Sequence, residues 1–215
     1  MDHRFYEGVV GMEPAIAADL YLTCFCEEGD LLSQWRGYGG NDSRYCIQFD
    51  ASRLWGTHGL VSPLVRVIYE RDKQAEILDD ILDRHVRGFE LLKKINIGLD
   101  AMMPIALWCV YTCALLAFAF FKDWAFHEEC EWRATLFVQP GERSDEIEFA
   151  SGGGMIKPFL PLMTGPGNPK RLPVSKVIAG ASRSKRQAIK AAELMLAKFG
   201  YPGVTVEPSR VPLSG

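Results

Sequence analysis

The 215-residue sequence has no Cys-x-x-Cys pair, no Gly-x-x-x-x-Gly-Lys-Ser/Thr loop and no dinucleotide-binding glycine fingerprint. It also has no His-Glu-x-x-His. These absences remove the zinc-finger frameworks, the phosphate cradle of P-loop enzymes, the dinucleotide-binding strand–turn–helix and the zinc-protease helix. Its six cysteines stand apart at 24, 26, 46, 109, 113 and 130. Its opening residues, MDHRFYEGVV, lack the basic-then-apolar pattern of a secretion signal. Scattered free thiols without a signal point to a reducing, cytoplasmic setting, with no metal site expected. Charge of one sign is also lacking. The net charge is −3, so no general attraction to nucleic acid is expected.

What is present is an ordinary globular composition, 48% hydrophobic and 24% charged, long enough to bury a core as one domain over 1–215. One uncharged run, 101–121, has the length of a membrane span. A helix buried on nearly all sides explains it without a bilayer. A span there would separate the N-terminal half from the EWR strand, so no membrane is expected.

Along the chain, Leu20–Phe25 reads as a strand. Asp30 fits as N-cap of a short helix carrying Leu31, Leu32, Trp35 and Tyr38, stopped by Gly39 and Gly40. The turn cluster GGNDS leads into a strand over Tyr45–Phe49, and 63–70 reads as another. From Asp72 to Lys94, Ile77, Leu78, Ile81, Leu82, Val86, Phe89 and Leu92 recur at helical spacing. The run 101–121 follows as a second, more deeply buried helix, with Pro104 in its first turn.

The stretch ECEWRATLFV alternates as a strand, with Trp132, Ala134, Leu136 and Val138 on the core face. Glu129, Glu131, Arg133 and Thr135 share the other face, away from the core. Residues 139–173 are turn-rich, with a hairpin and an irregular excursion. VSKVIAG is then a strand, Ser182 or Ser184 caps a helix of about 185–198, and GVTVE closes the chain in a parallel strand–helix–strand unit. The expected fold is α+β: a mixed, mostly antiparallel sheet, two central helices and a C-terminal strand–helix–strand unit.

Three blocks carry a family resemblance. CFCEEGDLLSQWRGYGGNDSRYCIQFD is similar to a strand, a W-x-x-Y helix (Trp35, Tyr38) and a strand ending in I-x-F (Ile47, Phe49). FHEECEWR resembles an F-x-x-E-x-E-W-R element. VSKVIAG through VEPSRVP resembles a closing strand, helix and tail with Val206, Ser209, Arg210, Val211 and Pro212. Together they resemble a bacterial family of uncharacterised domains over about 20–213, a family that implies a non-membrane fold and assigns no activity. Its usual initial strand has only a loose counterpart in DHRFYEG, so a shortened member or a missing start is expected. CFCE also replaces the family's serine-bearing strand, so no hydroxyl role carries over there.

Two functional readings stay open. E-x-E on a strand resembles the catalytic element of ADP-ribosyltransferases, whose second glutamate steadies an oxocarbenium-like transition state. Under that reading Glu131 is the catalytic anion, Glu129 its partner, and Trp35, Tyr38 and Arg133 shape a site for NAD or a related nucleotide in a defence or toxin context. The rival is a non-catalytic binding or sensor module of a bacterial defence system, with Arg133 locked onto a neighbouring carboxylate. Arg183, Lys185 and Arg186 stand at a helix N-terminus and form the best local anion site, against the plainer reading of a solvated basic face. His85 fits the apolar side of its helix as a hydrogen-bonded core histidine.

Overall fold

The computed structural model describes residues 19–38, 45–54, 64–94, 99–139, 141–152, 154–161, 172–181 and 184–212. The chain is mixed α+β. Its described residues fall into two compact units, each assembled from two stretches of chain. One draws on Met1–Phe25 and Val61–Pro161, the other on Cys26–Leu60 and Leu162–Gly215.

The first unit holds a three-stranded sheet in the order β1–β4–β3, with β1 over Asp19–Cys26, β3 over Val65–Arg66 and β4 over Glu131–Val138. β3 and β4 are antiparallel, with Val65 opposite Arg133 and Arg66 opposite Trp132. β4 is therefore the central strand, and its burial departs from the alternating pattern. Glu131, Ala134, Thr135 and Val138 are all buried, so both faces of this strand are covered. The expected solvent-side polar face is inside the protein. It is tolerable there only because its charges are neutralised locally.

A 24-residue helix, Arg71–Lys94, follows β3. Asp72 in its first turn and Lys93 and Lys94 in its last suit the helix dipole. His85 turns its Nδ1 to the Ile81 carbonyl at 2.6 Å. The next helix, Leu99–Ala119, packs against it. The uncharged run does not continue as one helix to 121, because Phe121 leaves to bridge Ile68 in parallel. Among the described residues no helix is long and apolar enough to cross a membrane. Nor is this helix deeply buried: Ile105 is 65% and Phe118 57% exposed, and among the described residues its extensive packing is against the Arg71–Lys94 helix. A hairpin of β5 (Glu148–Gly152) and β6 (Met155–Phe159) completes the unit.

The second unit follows the sequence closely. β2 (Tyr45–Phe49) runs antiparallel to β7 (Val174–Ala179), which lies parallel to β8 (Thr205–Pro208). A helix over Lys185–Lys198 makes the crossover, burying Ala188, Ala192 and Leu196. Ser184 stands at its N-cap position without capping through its side chain, and Ser182 lies outside the described residues. A short helix, Leu32–Tyr38, precedes β2.

Candidate functional site

The site rests on a backbone weave. The Ile68 N–H donates to the Phe120 carbonyl at 2.8 Å, and the Lys122 N–H returns to the Ile68 carbonyl at 3.2 Å. The Gln74 side-chain amide donates to both the Ile68 and Lys122 carbonyls, at 2.7 and 3.0 Å. Lys122, the first charge after the apolar run, is thereby fixed beside β4.

A 3-10 turn over Trp124–Glu129 comes next, held at its start by the Asp123 carboxylate, which accepts the Ala125 N–H. Cys130 then adopts φ 42°, a left-handed conformation rare for a residue with a side chain. Glu129 is thus the last residue of the turn rather than part of the strand. Even so, both glutamates reach the same ammonium. The Lys122 Nζ donates to Glu129 at 2.6 Å and to Glu131 at 2.8 Å.

Arg133 completes the group. Its Nε and Nη2 grip the two Glu131 oxygens at 2.9 and 3.1 Å, while Nη1 donates to the Ala119 carbonyl at 2.5 Å. That carbonyl ends a helix, where the dipole favours a cation. The Tyr69 hydroxyl accepts the Glu131 N–H at 2.9 Å, and the Lys122 ammonium also lies over the Phe126 ring at 5.0 Å. Two carboxylates and two cations thus cancel in one buried cluster.

The electrostatics reflect that balance. Burial pushes the Glu131 carboxyl upward. Hydrogen bonds from Arg133, Cys24 and Lys122 overcome it and hold the group at about 2. Burial likewise opposes the charge on Lys122, and the two glutamates outweigh it, raising its pKa. On β1, the Cys24 thiol is driven up to about 11, by burial first and then by its hydrogen bond to Glu131. At neutral pH the carboxylate at the centre is ionised and weakly basic, unsuited to abstracting protons.

The other expected site residues that the structure describes are in the second unit, Trp35 and Tyr38 among them. Trp35 is buried, whereas Tyr38 is 72% exposed. The Trp35 indole donates to Asp30 at 2.8 Å. Instead of capping the helix, the Asp30 carboxylate collects this bond, the Ser209 hydroxyl and the Arg210 N–H at 2.7 Å. Burial opposes its ionisation, and these three donors more than offset that, keeping its pKa below the ordinary range.

Lys185 and Arg186 are exposed at the start of their helix; Arg183 lies outside the described residues, as does the GGNDS turn. Among the described residues no three His, Cys, Asp or Glu side chains cluster to hold a metal ion. Sequence reasoning missed Lys122 and Cys24 as members of the cluster. The only available signal was the position of Lys122, a lone cation closing an uncharged run.

Residues 34–134 match the model of a family described as "Protein of unknown function (DUF2971)". The matched stretch holds Trp35, Tyr38, Lys122 and the Glu129–Arg133 segment, and it stops short of the closing strand–helix–strand unit. No curated protein and no solved structure matches the chain.

Proposed function

We propose that this chain, whose matched family is assigned no activity, is a non-catalytic binding module in which Lys122, Glu129, Glu131 and Arg133 form an internal framework. One observation carries this reading. The Glu131 side chain is 3% exposed, and both of its oxygens are engaged by Arg133 and Lys122. An anion that steadies a developing positive charge must present its carboxylate to the reacting group. Here that charge is spent on the protein's own cations, one of them in the bidentate geometry that arginine favours. The paired helices also expose Leu82, Val86, Ile105 and Phe118, apolar side chains available to a partner.

The test is NAD consumption by the purified full chain, wild type beside Glu131→Gln, with thermal unfolding measured on both. The expected result is no turnover by either protein and a lower melting temperature for the variant. Turnover by the wild type that disappears in a variant still folded would overturn the reading. It would restore Glu131 as a catalytic anion, with Glu129 as its partner.

A further inference from the structure

The β5–β6 hairpin is exposed on both faces, with Phe149 at 69%, Met155 at 64% and Ile156 at 75%. Among the described residues its strands pair only with each other, and no other element packs extensively on them. A two-stranded ribbon is marginal by itself and gains most from a further strand.

Pro158 decides the edge. It has no N–H, so the pair Phe149–Pro158 falls between ladder bonds. Alternation makes Ser151–Ile156 a second such pair, leaving Glu148–Phe159, Ala150–Lys157 and Gly152–Met155 to carry the ladder. Gly154, at φ 78°, supplies the conformation that a tight hairpin end requires. The outward groups of β6 are then those of Ile156 and Pro158, with a donor missing. The outward groups of β5 are those of Phe149 and Ser151, with every donor and acceptor intact.

That intact edge is complementary to itself. When two β5 strands run antiparallel about a two-fold axis at Ala150, Phe149 meets Ser151 of the other copy. Each such pair exchanges both of its backbone hydrogen bonds. Glu148 then falls opposite Gly152, so no like charges oppose each other. On the face shared with Phe149 and Ile156, the short Ser151 of the other copy leaves room for the large side chains on either side. We propose that β5 is a homodimerisation edge, joining two copies of this chain into a continuous four-stranded antiparallel sheet, an interaction distinct from the buried cluster.

Two variants test this on the full chain. Ser151→Pro removes an outward N–H and spares the hairpin's own ladder. Ala150→Cys places two thiols across the axis, where Cα atoms of a non-hydrogen-bonded pair lie about 4.5 Å apart, within disulfide reach. Light scattering should report twice the mass of one chain for the wild type and a single chain for Ser151→Pro. Mild oxidation should cross-link Ala150→Cys well above the wild-type background of native thiols, and Glu148→Cys should stay near that background. A wild type that stays monomeric at all concentrations, binding only extended peptides or nothing, would overturn the proposal. So would equal cross-linking of both cysteine variants. Should Ser151→Pro fail to fold, the cysteine pair decides alone.

Discussion

The Asp30 carboxylate accepts the Arg210 N–H at 2.7 Å across 180 residues of sequence. The same carboxylate takes the Trp35 indole and the Ser209 hydroxyl, so one side chain ties the first helix of its unit to the chain's closing segment. Asp30→Ala should cost about 2–3 kcal/mol in urea unfolding, because three donors lose a charged acceptor together. Hydrogen exchange should rise at Arg210 and Val211, and a variant unchanged in both measurements would show the tie to be incidental.

Glu131→Gln leaves Lys122 and Arg133 with one buried counter-charge instead of two. Removing one partner of a buried ion cluster costs roughly 3 kcal/mol or more, and the same loss is expected here by denaturant titration. Lys122→Met and Glu129→Gln should each destabilise. Their combination, which leaves the Glu131–Arg133 pair neutral, should cost about 1–2 kcal/mol less than the sum. Additive losses would mean that the four charges do not act as a unit.

Acid should dismantle this cluster within a defined window. Glu131 is held at about 2 against an ordinary value of 4.5, so its contribution is complete above 4.5 and is lost as pH falls through about 2. The associated stability is on the order of 3 kcal/mol. Unfolding free energies measured from pH 6 to pH 2 should show this decline, and Glu131→Gln should flatten it.

Cys24 counts as exposed, yet its thiol is driven from the usual 9.0 up to about 11, by burial and by Glu131. At pH 8 that lowers its thiolate fraction about a hundredfold, and alkylation should slow accordingly. Mass spectrometry after timed iodoacetamide treatment should find Cys24 among the slowest accessible thiols. Glu131→Gln should speed its labelling, and no change would place the thiol outside the carboxylate's influence.

The second unit is the more legible from sequence. Tyr45–Phe49, Val174–Ala179 and Lys185–Lys198 carry local signals, β-rich alternation and helical spacing, and the chain folds as those signals direct. The strand containing Glu131 is legible as a strand, but its burial is not. Alternation separates two faces without saying whether both are covered, and it carries no information about Lys122, which reaches the strand through pairing with Ile68. Asp30 has the sequence signature of a helix cap, because two of its three donors, from Ser209 and Arg210, lie at the far end of the chain. The long apolar run has the composition of deep core, and composition does not reveal that among the described residues its extensive packing is against one helix.

Each compact unit is stitched from separated stretches, and this sets an order of events during synthesis. β2 leaves the ribosome with no partner and must wait through the whole intervening helical region before β7 can pair with it. The Trp35 helix waits longer still for Ser209. A nascent chain therefore carries an open, β-prone segment for most of its translation. Any event that stalls or shortens the chain ahead of β7 leaves that segment without its native partner, available for pairing with other chains.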